Sequence, residues 1–148
     1  MHYKPEDFVV DGSLRDVCIL DTEVVDWQRV VSAVLSSPWL HSFSSTLANQ
    51  GPDISNDVAA LFSELVLDVE ASATLAIFVE PIWFTSYLFE VGEIEFTFDP
   101  ADVSDVNSFS SLANFMKWLG GVSGRRVVMT MESTNHRSIP AILEYKPR

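Results

Sequence analysis

A chain of 148 residues with 47% hydrophobic residues, four Trp and ten Phe has enough apolar mass for a packed core, and its one cysteine excludes an internal disulfide. Twenty-one acids against nine Lys and Arg give a formal charge of −12, which disfavours nucleic acid and anionic membrane as partners. All of that excess lies in the middle: the 87 residues from Val30 to Met116 contain twelve carboxylates and no Lys or Arg, whereas the other 61 residues hold nine of each sign. A one-signed field of that kind attracts basic partners.

The start, Met1-His2-Tyr3-Lys4-Pro5, has no apolar h-region, so the chain reads as cytoplasmic. Phe8-Val9-Val10, Asp11-Gly12-Ser13 and Leu14 to Leu20 spell a hairpin closed by an Asp-Gly turn, with Cys18 a buried thiol in its apolar run. Asp21 or Thr22 then caps a helix whose stripe is Trp27, Val30, Val31, Val34 and Leu35, ended by Ser36-Ser37-Pro38. Residues 39 to 52 read as an edge strand alternating His41, Phe43, Ser45 and Leu47 and closed by Gly51-Pro52, although Trp39, Phe43 and Leu47 also fit a helix stripe. Ser55 caps a second helix to about Leu67, with Val58, Leu61, Phe62 and Leu65 inward.

The apolar stretch Ala71 to Phe89 is nearly long enough to cross a bilayer, but Glu80-Pro81 interrupts it and neither flank carries Lys or Arg, so it reads as two core strands. A meander follows: Ala73 to Val79, Ile82 to Phe89 and Ile94 to Phe98, with Val91-Gly92 as its second turn. Asp99-Pro100 opens a helix to Leu119 with Val106, Phe109, Leu112, Ala113, Met116 and Leu119 inward, stopped by Gly120-Gly121. Val127 to Met131 and Ala141 to Tyr145 form the last strand pair, joined by the polar loop Glu132 to Ser138. The expected class is α+β: one domain over 1–148, with a mostly antiparallel sheet of about seven strands and about three helices against it.

A two-residue turn at Val91-Gly92 pairs Glu90 with Glu93, Phe89 with Ile94, and Leu88 with Glu95. Trp83, Tyr87, Phe89, Ile94, Phe96 and Phe98 then share the core face, and Glu90, Glu93 and Glu95 share the other. Glutamates directly opposed across a hairpin repel by a few tenths of a kcal/mol or more. Such a face is either a docking surface for cationic side chains or the solvated side of an acidic protein. Glu80 at the apolar turn, with Asp68 and Glu70 just past the second helix, completes the candidate partner-binding set. Val91 disfavours the positive φ of a tight turn, and a longer loop changes the pairing.

Chemistry-bearing constellations are sparse. Asp99, Asp102, Asp105 and Asn107 lack the spacing of a calcium loop and read as helix-capping residues. His2, His41 and His136 are scattered, without the close ligand pairs of a zinc site, and His136 falls in a loop expected to be exposed. The glycines before Arg125-Arg126 leave a helix rather than enter one, the reverse of a phosphate loop. No cofactor, catalytic residue or metal is indicated. The competing reading is a small acidic enzyme or ligand-binding domain using Glu80, His41 or His136 in a pocket between helices and sheet; a carboxylate with a raised pKa beside a His would favour it.

Asp11-Gly12-Ser13-Leu14-Arg15-Asp16 followed by Asp21-Thr22, Trp27 on the first helix, the segment Glu93 to Pro100 and Met116-Lys117-Trp118-Leu119-Gly120 together resemble the small acidic immunity proteins of bacterial toxin–immunity systems, including contact-dependent inhibition. The resemblance implies a cytoplasmic, non-enzymatic antidote that binds a basic toxin domain, often a nuclease, through an acidic surface.

Overall fold

Burial with a period of two along most strands builds one antiparallel sheet in the computed structural model, which describes residues 1–47 and 53–148. The strands are β1 Arg15–Leu20, β2 Leu40–Ser45, β3 Ala73–Val79, β4 Ile82–Tyr87, β5 Glu93–Phe98, β6 Val127–Met131 and β7 Leu143–Tyr145, in the order β2-β3-β4-β5-β1-β6-β7. The helices are α1 Val24–Leu35, α2 Val58–Leu67 and α3 Val106–Ser123; α3 lies on the sheet and α1 packs beside both others. This is the expected α+β class, and β2 is the expected edge strand. Its Gly51-Pro52 closure lies outside the described residues.

The core sits between the helices and the sheet. Phe115 of α3 is at its centre, stacked on Phe84 of β4 at 3.9 Å between ring centroids and meeting Phe96 of β5 edge-on at 5.3 Å. Trp27, Val30, Val31 and Val34 of α1 are fully buried, as their helical spacing requires. Each such side chain contributes roughly 1.5–3 kcal/mol by leaving water.

Several local expectations are corrected. Residues 5–8 form a 3-10 turn rather than the first strand of a hairpin. Arg15 explains it: its buried guanidinium donates to the carbonyls of Asp7 at 3.1 Å, Val9 at 3.2 Å and Leu14 at 3.1 Å, so those carbonyls satisfy a charge and not a strand partner. The caps of α1 and α2 are Glu23 and Asp57, two or fewer residues past the expected ones. Asp99 caps a short 3-10 turn, Pro100–Asp102, and Asp105 caps α3, so the Asp99-Pro100 signal opens a turn before the helix. Val106 is consequently exposed rather than inward.

The register of β4 against β5 also differs. Thr85 pairs with Thr97, one residue away from the expected alignment, and the connection runs from Leu88 to Gly92. Its cause is the start of α1: the Val91 carbonyl accepts from the Thr22 hydroxyl at 2.6 Å and from Trp27 Nε1 at 3.1 Å, which opens the loop. A one-residue slip turns a strand over. Phe84, Ser86 and Leu88 therefore face the core, and Trp83, Tyr87 and Phe89 face out.

Gly120 and Gly121 lie inside α3, which runs to Ser123 and ends at Gly124 in the left-handed conformation with φ 68°. A Cβ on Gly120 would come within 2.6 Å of the Tyr145 ring. Gly120→Ala is expected to cost about 1–3 kcal/mol in urea denaturation, and combining it with Tyr145→Ala should recover most of that loss.

Candidate functional site

The sheet face opposite the helices is crossed by the loop that follows β6. In β1, Asp16 and Cys18 point to that face, Asp16 lying in one row with Thr97 and Thr130 and Cys18 in the next with Glu95 and Val128. A 3-10 turn, His136–Ser138, brings His136 down onto them. The side chains of His136 and Asp16 are each 1% exposed, with Nε2 2.7 Å from Asp16 Oδ2 and 3.7 Å from Glu95 Oε2; Nδ1 lies against Glu93 Oε1. Asp16 also accepts from the Thr97 hydroxyl at 2.9 Å and the Ser133 amide at 3.2 Å. Three carboxylates thus surround one imidazole, contrary to the exposed loop expected for His136.

The electrostatics follow from that count. Burial acts to lower the His136 pKa, but the hydrogen bond to Asp16 and the charges of Glu93, Asp16 and Glu95 outweigh it and raise it above 6.5. Glu95 is raised above the usual carboxylate range, by burial first and then by Asp16. Burial and the three neighbouring carboxylates push the Cys18 thiol far up, so it stays protonated.

Beside this cluster lies an open groove of about 460 Å³. Thr85 and Thr97 are opposite one another in it, Trp83 and Tyr87 line it from β4, and Glu95, Asp99, Asp102 and Glu132 supply carboxylates. Trp83 is 43% exposed, Tyr87 46% and Phe89 78%, and Tyr87 stacks on Phe89 at 5.6 Å between centroids. Asp102 is raised by burial and by Asp99.

Of the six candidate partner-binding residues, the fold brings three together. Glu90, Glu93 and Glu95 line a small depression with Tyr87 and Phe89, Glu90 exposed and Glu93 turned under His136. Asp68 and Glu70 are exposed around the turn after α2, beside exposed Leu67 and Val69. Glu80 is exposed in the β3–β4 turn, at the other end of β4 from Glu90, with its carbonyl accepting from Ser111 at 2.7 Å. The sequence does not single out Trp83, Tyr87, Asp16 or Glu132 as site residues. The exposed β4 aromatics depend on the register slip, and Asp16 reads as an ordinary strand residue until the loop covers it.

The cluster also holds two sets of donor atoms within 4.8 Å of one another: Cys18, Glu93 and His136, and Asp16, Glu95 and His136. They meet opposite nitrogens of the same ring, so a cation at either set competes with the imidazole proton there. Arg125 and Arg126 do not fold over the acidic patch; Arg125 pairs with Asp26 at 3.0 Å and Arg126 with Glu144 at 2.9 Å.

His136→Ala leaves Asp16 buried without its charge partner and is expected to cost about 3 kcal/mol. The folded His136 pKa lies above the unfolded one, so its contribution is complete below about pH 6.5 and fades as pH rises through the folded value. Urea titrations of both proteins between pH 5 and 9 should show that gap closing on the alkaline side.

No protein-family model matches the chain, and no curated protein matches it. No helix among the described residues is long and apolar enough to cross a membrane. A chain of the 1.75 Å crystal structure of the toxic C-terminal tip of CdiA from Pseudomonas aeruginosa in complex with immune protein superposes with a TM-score of 0.50 and 11% identity, over 89% of this chain and 94% of that one. At that identity the likeness is one of fold, and it bears out the organisation-level resemblance to toxin–immunity systems.

Proposed function

We propose that this chain is a non-enzymatic immunity protein that neutralises a basic toxin domain, a nuclease by the chemistry of the face, from the cytoplasm. The observation that carries the reading is the open sheet face, where exposed Trp83, Tyr87 and Phe89 stand among carboxylates that have no Lys or Arg partner among the described residues. Aromatics ringed by polar groups make interface hot spots, and unpaired carboxylates speed encounter with a cationic surface. A nuclease must present such a surface to hold phosphate. The fold shared with a chain of a toxin–immunity complex supports the same assignment.

One observation favours the enzyme reading: Glu95, raised in pKa, lies 3.7 Å from His136. Yet the ring is buried, with Nε2 bonded to Asp16 and Nδ1 facing Glu93, so neither nitrogen lies open to a substrate. The cleft between α2 and the sheet, about 140 Å³, is lined by residues such as Phe62, Leu65 and Leu88 and includes no titratable side chain.

The test is co-expression with a candidate toxin domain, sought in the neighbouring reading frame. The wild type should protect, and Trp83→Ala should weaken binding by about 2 kcal/mol, roughly 30-fold, at unchanged melting temperature. Affinity should also fall as salt rises. Glu90→Lys with Glu95→Lys should abolish binding, and Glu93→Lys, with Glu95→Lys to a lesser degree, should also lower the melting temperature, because both carboxylates face His136. Salt-independent binding, or full affinity in Trp83→Ala and Glu90→Lys/Glu95→Lys, would remove this face from the account.

A further inference from the structure

The groove between Trp83 and Tyr87 specifies its ligand more closely than the rest of the face. Thr85 and Thr97 face each other within it, two aromatic rings of β4 line it, and Glu95, Asp99, Asp102 and Glu132 are its charged groups. Among the described residues, no Lys, Arg or His lines it. Five of the chain's nine Lys and Arg are committed elsewhere: Arg15 to carbonyls, Arg125 to Asp26, Arg126 and Lys146 to Glu144, and Arg137 to Asp21. Glu95 is further opposed by Asp16 and Asp102 by Asp99, so an incoming cation relieves repulsion already present.

Resting on the immunity reading above, we propose that this groove takes one arginine side chain of the basic partner. A guanidinium is flat, weakly hydrated and carries five N–H donors, so it lies against an aromatic face while bonding more than one carboxylate. An ammonium is compact and strongly hydrated, and uses the flat rings less well. A neutral side chain leaves the carboxylates uncompensated, and an anion is repelled.

Titration of the ¹⁵N-labelled protein with N-acetyl-arginine-N-methylamide at low salt tests this, with the lysine and citrulline analogues as comparators. The expected result is saturable shifts of the Trp83 indole and the Thr85 and Thr97 amides, with arginine several-fold tighter than lysine and citrulline silent. Glu95→Gln should weaken arginine about tenfold, about the loss of one charge-assisted hydrogen bond. Trp83→Phe, which keeps a ring, should bind less weakly than Trp83→Ala, and dispersed spectra verify that each variant is folded. No saturable shift, equal lysine and arginine affinity, or an unchanged Glu95→Gln would overturn the proposal. Protection by the wild type in co-expression alongside a failed titration overturns the arginine groove alone; lost protection with a successful titration overturns the immunity reading instead.

Discussion

The buried contact between His136 and Asp16 decides what the open face of this sheet looks like. Asp16 sits on a central strand with 1% of its side chain exposed, a position a carboxylate holds only with a charge partner or several donors. For 87 residues the chain supplies no Lys or Arg. The partner comes from the far end of the sequence, as an imidazole 120 residues away that also engages Glu93. Docking His136 fixes the loop across the sheet, and the same loop begins at Glu132, which lines the neighbouring groove.

That loop divides the face by charge. On one side are Glu95, Asp99, Asp102 and Glu132 with the β4 aromatics. On the other, Arg125, Arg126 and Arg137 line a groove of about 520 Å³ with Asp21. These guanidiniums are paired, and the hydrogen bond from Arg126, with that from Lys146, holds Glu144 down at about 2. Fixed pairs leave little free positive field, so the acidic half dominates what an approaching molecule meets. The net count of −12 therefore resolves into a local, aromatic-lined acidic surface rather than a uniform halo.

Much of this was legible in the sequence, for identifiable reasons. The α1 stripe and the strands β3, β5 and β6 follow from hydrophobic periodicity, and Asp99 and Asp105 cap their elements because short carboxylates at helix starts meet free amides. Two things were hidden. The turn at Val91 is set by Thr22 and Trp27, some 65 residues away in sequence, so no local turn rule gives the β4–β5 register. The His136 cluster assembles residues from β1, β5 and a late loop, and single polar residues at such spacing carry no signature. The clean alternation of β5 places Glu93 and Glu95 on the outer face; β4 is apolar on both sides, so periodicity alone does not turn Trp83, Tyr87 and Phe89 outward.

The central question is which face of the sheet meets the partner. Amide hydrogen exchange of the protein, free and bound to the proposed basic toxin domain, tests that directly. Added protection is expected in β4, in β5 and in the loop from Glu132 to Ser138, with α1, α2 and α3 unchanged. Protection confined to the helices, with the open face exchanging as in the free protein, would contradict that expectation.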